Sequence, residues 1–356
     1  MGDVTRPGAQ IGISRHSSER MLLLFVFALL AVLQAAVYGS TNSISVALAA
    51  LAAAIASELF ATHREHGLRR VTDGSAAACA LVLVLMLPAE IHPMHAALGA
   101  VFSTAVAKHS FGGSGSSTLN PALCGWLFVR FSWPGDFSAA ADLAGAALAP
   151  GGTAGSPADQ GIRDFLNGTV FAPFGARLPP GYIDVFISGG SGVVADRAVL
   201  SLFLFASAMF AFRAGRWRVS VAYLAVFAFL SRLLGDIPGG GGLWKGDAVM
   251  GIFSGGTLLT AFVLLAYPSG GSRSSGGIVL MAVLAAVLAA VFRYIGGEFY
   301  GGFFAAVAVN AIGLLLVPLE RRVLYASYTE AQPSGERSSS GIPARVPAGT
   351  SEGGTV

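Results

Sequence analysis

Ten apolar stretches dominate this chain: 21–39, 43–61, 75–89, 93–108, 119–133, 197–214, 217–235, 247–267, 276–294 and 300–319. Nothing else in the sequence restricts the fold as strongly. A hydrocarbon layer about 30 Å thick is crossed by about 20 apolar residues in a helix. Backbone inside that layer must satisfy its own polar groups, so irregular segments survive only where protein or a cavity covers them. The expected fold is therefore an all-α polytopic membrane protein with about ten transmembrane helices. Charged residues are 12% of the chain and hydrophobic ones 54%, whereas a soluble domain carries about 25% charged residues. The net charge of +3 is small, and its cations fall in short clusters between apolar runs. No nucleic-acid partner is expected; the surroundings are a lipid bilayer.

Lys and Arg set the orientation. Arg6, Arg15 and Arg20 precede the first stretch, Arg64, Arg69 and Arg70 follow the second, and Lys108 follows the fourth. Arg213, Arg216 and Arg218 follow the sixth, Arg273 the eighth, and Arg321 and Arg322 the tenth. With ten spans these all lie on one side, which predicts both termini in the cytoplasm. Residues 1–20 then form a cytoplasmic segment, 21–322 the membrane domain and 323–356 a Ser, Gly and Pro-rich disordered tail. The 134–196 segment, rich in Gly, Pro and Asp, is a large extracytoplasmic loop packed on the membrane domain or a partner. The first apolar run lacks an A-x-A exit and reads as a retained span. Cys79 and Cys124 form no CxxC pair and read as small buried hydrophobes.

The third to fifth stretches are short, and KHSFGGSGSSTLNPALCG (108–125) interrupts them with glycines and hydroxyl residues. Gly112, Gly113 and Gly115 permit positive φ and close backbone approach. Freed N–H groups beside such a turn form an anion-binding nest. Asn120 offers a polar amide, and Pro121 suits the first position of a helix. This is either a broken helix lining a cofactor or ion path, or tight packing by small residues. Ser254, Gly255, Gly256 and Thr257 in FSGGTLLTAF (253–262) read the same way and faintly echo the first motif. Five spans per half, an odd number, would make two inverted five-helix repeats with glycine-broken helices.

Glu58, deep in the second stretch, needs a partner or a proton and is a candidate for the ion path. Asp73 is expected to cap the third helix. Glu90, His92 and His95 bunch at an outer turn, where solvation explains them better than a metal does, and no metal site is expected. Arg293 and Glu298 are expected to form a local ion pair. No Walker A, GxSxG or zinc spacing occurs, and GGGG at 239–242 lacks the strand–helix context of a dinucleotide fingerprint.

Taken with TDGSAAACALVLVLMLP (72–88) and RYIGGEFYGGFFAAVAVNAIGLLLVPLERR (293–322), these motifs make about 70–320 of the chain resemble one family. It is that of the D subunit of the Rnf ion-translocating oxidoreductase and its relative, the B subunit of the sodium-pumping NADH:quinone reductase. The resemblance implies a multi-pass subunit of the bacterial cytoplasmic (inner) membrane. It would work with the other subunits of an Rnf-type complex, would not be catalytic alone, and would couple electron transfer to Na⁺ or H⁺ movement. It also implies flavin, held in relatives by a phosphoester to a threonine after the fifth span. Here ADLAGAALAP (141–150) is the matching segment, and Ala147 stands at the acceptor position. Thr153 and Thr169 lack the surrounding motif. FMN or riboflavin is therefore expected to be non-covalent, with Gly112, Gly113, Gly115, Asn120, Ser254, Gly255, Gly256 and Thr257 as candidate contacts. Tyr267 stands where relatives carry Asp, and 186–200 lacks their glutamate. No catalytic residue is assigned. The alternative is a flavin-free transporter, channel or scaffold subunit on the same fold.

Overall fold

Helix occupies every one of the ten apolar stretches in the computed structural model. The structure describes residues 7–37, 41–62, 74–109, 119–148, 157–174, 183, 192–211, 217–235, 242–266 and 275–313. The helices are α1 (Pro7–Val37), α2 (Asn42–Thr62), α3 (Ser75–Met86), α4 (Pro93–Val101), α5 (Pro121–Ser132), α6 (Pro134–Leu148) and α7 (Pro157–Thr169). The second half holds α8 (Val199–Ala211), α9 (Trp217–Leu234), α10 (Ala248–Phe253), α11 (Thr257–Leu259) and α12 (Ser275–Ala290), then α13 (Gly301–Gly313). Three helices continue as π-helical segments: α4 through Phe102–Lys108, α11 through Thr260–Leu264 and α12 through Val291–Ile295.

Among the described residues, Asn42–Ala61, Trp217–Leu234 and Gly276–Ile295 are long and apolar enough to cross a membrane by length and composition. Others fall short. The 12 residues of α3 reach about 18 Å at about 1.5 Å per residue, well under the hydrocarbon thickness. Among the described residues, a few long apolar helices thus stand beside short or broken ones.

Local chemistry explains the helix starts. Asn120 caps α5 by accepting from the Ala122 N–H at 3.1 Å, and Pro121 follows at the position where a missing N–H costs nothing. His92 caps α4 in the same way, its Nδ1 accepting from Met94 N–H at 3.2 Å ahead of Pro93. The α3 start differs from expectation. Its cap is Gly74 at φ 64°, with no side-chain hydrogen bond, while Asp73 lies outside the described residues. The polar N-terminal segment is also partly helical, since α1 begins at Pro7. The 134–196 segment is not simply a loop either. It holds α6 and α7, and α6 starts one residue after α5.

Packing follows small residues. α2 runs along α4, and α9 runs along α12. A Cβ on Gly125 would lie 2.7 Å from the Gly99 carbonyl oxygen, so α4 and α5 touch through two glycines. A Cβ on Gly301 would lie 2.8 Å from the Ala289 carbonyl oxygen, so α13 meets α12 as closely. Trp126 of α5 is wholly buried and meets Phe137, Phe303 and Phe304 edge-on. Those contacts tie α5 to α6 and to α13 of the other half. Arg130 reinforces that seam by donating to Glu298 at 3.2 Å.

One short strand pairing joins segments far apart in the chain. Beyond α3 the backbone is extended, and Pro88 bridges Val193 antiparallel. Ala89 N–H donates to Gly192 at 3.1 Å, and Val194 N–H donates to Leu87 at 3.0 Å. Asn42 holds the same strand by donating to the Ala89 and Ile91 carbonyls at 3.2 and 2.9 Å.

Gly125→Leu should lower thermal stability by about 1–3 kcal/mol, the usual cost of overpacking. Gly135→Leu, where a Cβ meets nothing within 4 Å, should not. Unfolding temperatures of the detergent-solubilised variants test this.

Candidate functional site

The glycine motif at 253–257 is a true break. α10 ends at Phe253, Ser254 is extended at φ −127°, and α11 restarts after Gly256. Gly255 and Gly256 have φ of 68° and 67°, the left-handed region that disfavours any side chain. Space excludes a side chain as well. A Cβ on Gly255 would sit 2.6 Å from the Phe299 carbonyl oxygen, and one on Gly256 would sit 2.2 Å from the Phe303 ring.

Such a break leaves carbonyls at the end of one half-helix and N–H groups at the start of the next. Arg293, in the π-helical end of α12, serves the first. Its guanidinium donates to the carbonyl oxygens of Gly251 at 3.1 Å and Ser254 at 3.0 Å, and to the Ser254 hydroxyl at 2.6 Å. Asp196 serves the second. Its carboxylate is buried, and Oδ1 accepts from Gly256 N–H at 2.7 Å. A cation at a helix C-terminus and an anion at an N-terminus both oppose the local dipole charge. Asp196 is delivered there by the strand pairing at Pro88 and Val193, which leads directly into the turn Val194–Arg197.

A second buried centre lies at the other broken region. Glu58 of α2 and Lys108 at the end of the α4 π-helical segment are both 4% exposed, so neither charge is solvated. Lys108 Nζ donates to Glu58 Oε1 at 2.8 Å and to Ser75 Oγ at 2.9 Å. His109 Nε2 lies 3.0 Å from Glu58 Oε2. The expected partner of Glu58 is therefore found. Lys108, however, is a buried counter-ion and not one of the aqueous cations that set orientation.

Several expected site residues stand differently. Gly112, Gly113 and Gly115 lie outside the described residues, as does Tyr267. Asn120 Oδ1 is used as a helix cap. Ala147 lies in helix α6, not in a loop. Ser254, Gly255, Gly256 and Thr257 come together as expected, but their polar groups are met by Asp196, Arg293 and each other: Thr257 Oγ1 donates to the Ser254 carbonyl at 2.9 Å. Arg293 and Glu298 do not form the expected local pair. Each reaches another helix, Arg293 to the break and Glu298 to Arg130. Glu90 approaches Arg197 at 3.7 Å, and His95 pairs with Asp136 at 2.9 Å and stacks on Trp133. Cys79 and Cys124 are half-buried thiols. Sequence reasoning missed Asp196, because the group it meets, Gly256 N–H, lies 60 residues further along the chain.

Comparison with known proteins identifies the relatives of this arrangement. The family model described as NQR2, RnfD, RnfE matches residues 5–323. The D subunit of the proton-translocating ferredoxin:NAD(+) oxidoreductase complex of Clostridium ljungdahlii is 27% identical over 81% of this chain and 86% of its own length. The D subunit of the Na(+)-translocating complex of the same type from Acetobacterium woodii is 23% identical over 72% of this chain and 74% of its own. The B subunit of the Na(+)-translocating NADH-quinone reductase of Chromohalobacter salexigens is 28% identical over 70% and 57%.

Two variants test the buried charges. Lys108→Met alone should destabilise by about 3–5 kcal/mol, because it strands a buried carboxylate. Adding Glu58→Gln should recover most of that loss, a coupling that a double-mutant cycle of unfolding free energies reads directly. Arg293→Lys should fail to restore what Arg293→Ala loses, since one ammonium cannot match a planar fork donating to four acceptors.

Proposed function

The chain belongs to the NQR2, RnfD, RnfE family, and on that premise we propose that it is a membrane subunit of an ion-translocating oxidoreductase complex. In that role it works with partner subunits and not alone, and it provides part of the path by which Na⁺ or H⁺ crosses as electrons pass. The observation that carries this reading is a pair of charged centres, the buried Glu58–Lys108 ion pair and the buried Asp196 with the half-buried Arg293 across one helix break, each set at a glycine-started half-helix. Ionisable groups are costly inside a bilayer and mark ion pathways.

We also propose the finer architecture of ten spans in two inverted five-helix repeats. Its support is a set of matched contacts. Gly74 and Gly256 have φ of 64° and 67°, and each starts a half-helix with a hydroxyl residue, Ser75 or Thr257. A cation from the fourth span of each half reaches that hydroxyl: Lys108 to Ser75 at 2.9 Å, Arg293 to Thr257 at 3.4 Å. The second and fourth spans of each half share a hydroxyl pair, Ser57 with Thr104 and Ser231 with Tyr294. On this register the partner of FSGGT is DGSA (73–76), not the 111–122 segment that the sequence echo suggested.

Flavin is tested against the residues. Ala147 has no oxygen for a phosphoester. The nest at Gly255–Gly256 already holds the Asp196 carboxylate, so it does not fit a phosphate. We therefore propose that any FMN or riboflavin is held without a covalent bond, in the 108–125 segment. A second reading, a cation-handling subunit without flavin, is favoured by the same Asp196 contact.

Acid precipitation of the purified protein separates these readings. Visible flavin absorbance released to the supernatant, and lowered by Gly113→Leu, is the expected result. Absorbance remaining in the pellet would overturn the non-covalent assignment. Intact protein with no flavin would favour the second reading.

A further inference from the structure

We infer that the Glu58–Lys108–His109 cluster takes up a proton through His109 and does not take a sodium ion; this rests on the reading of the chain as an ion-translocating subunit. Donor and acceptor chemistry leads there. An ionised carboxylate only accepts and an ammonium only donates. With Lys108 donating to Glu58 Oε1 at 2.8 Å, the 3.0 Å contact at Oε2 must be a donation from His109 Nε2–H. That fixes the tautomer and leaves Nδ1 as the ring's basic nitrogen. The His109 side chain is 22% exposed and those of Glu58 and Lys108 4%, so a proton arrives at the imidazole first. The step balances without any co-reactant. A proton from water binds Nδ1, the Nε2 proton passes to Glu58 Oε2, and the cluster gains one positive charge while Lys108 keeps its bond to Ser75 Oγ. That bond ends at the first residue of α3, so a hydrogen-bonded line runs from the partly exposed imidazole to the buried start of a half-helix.

The same contacts argue against sodium. Hard cations require oxygen ligands, and both carboxylate oxygens already face nitrogen donors of the chain itself. A metal ion at this carboxylate would sit beside the buried ammonium of Lys108, a like charge 2.8 Å from Oε1.

Among the described residues, the groups facing this cluster are few. α3 presents Ser75 and Cys79, and the π-helical segment presents Lys108. α5 carries Arg130, which is engaged by Glu298. α1 packs on α2 and α3 and carries Arg15, His16, Glu19 and Arg20, whose side chains lie outside the described ones.

The experiment counts the protons taken up by the full chain in lipid nanodiscs on acidification. Wild type is expected to bind about one proton more than His109→Gln, and added NaCl, compared with choline chloride, is expected to leave the wild-type curve in place. Infrared difference spectra should show a carboxylic-acid band on acidification that is missing in Glu58→Gln. Equal proton counts in wild type and His109→Gln would overturn the inference, as would a sodium-dependent shift of the wild-type curve. If the assembled complex still couples electron flow to ion movement while the counts are equal, only this inference fails. An intact proton count without coupling strikes the functional reading instead.

Discussion

A helix interrupted within a hydrocarbon layer must find partners for the backbone groups that the interruption frees, because no water is there to take them. The structure depends on that requirement more than on any other. At 253–257 it is met by two charges of opposite sign, Arg293 on the freed carbonyls and Asp196 on the freed N–H of Gly256. Each charge would be costly alone in such surroundings. Set at opposite ends of two half-helices, each is stabilised by the dipole it faces and by the other charge. The break and the charges therefore require each other.

Much of the architecture can be read as what brings those two groups together. The extended end of α3 pairs with Gly192–Val194, and Asn42 at the start of α2 braces the same backbone. This aims the turn Val194–Arg197 at the glycines. From the other side, α12 departs from α-helical geometry at Val291–Ile295. Such π-helical turns are frequent at functional positions, and this one contains Arg293. The Trp126 cluster and the Arg130–Glu298 contact hold the α5 and α13 seam between the halves.

The Glu58–Lys108 pair follows the same logic by different means. Here the anion and cation contact each other directly, and the cation also reaches the hydroxyl at the start of α3. Burying such a pair is weak evidence for stability, since well-packed apolar residues often serve as well. A partly exposed histidine, His109, stands against the same carboxylate at 3.0 Å.

The sequence by itself determined the membrane class, the helices of the ten apolar stretches and the family motifs, but not α6 and α7, because apolar runs and glycine or proline punctuation are local signals. It also marked Glu58 and FSGGT as places where something unusual happens, and it put Pro121 correctly at the start of α5. What it could not determine was partnership. Lys108 read as a topology signal and Arg293 as the neighbour of Glu298, and Asp196 drew no reading at all. Each reading used the nearest residues in the chain. Coulomb attraction and hydrogen bonding act between groups close in space, and here the partners lie 50, 60, 39 and 168 residues apart. Only the packing of α2 on α4 and of α9 on α12, and the bridge from α3 to Val193, decided which charge meets which.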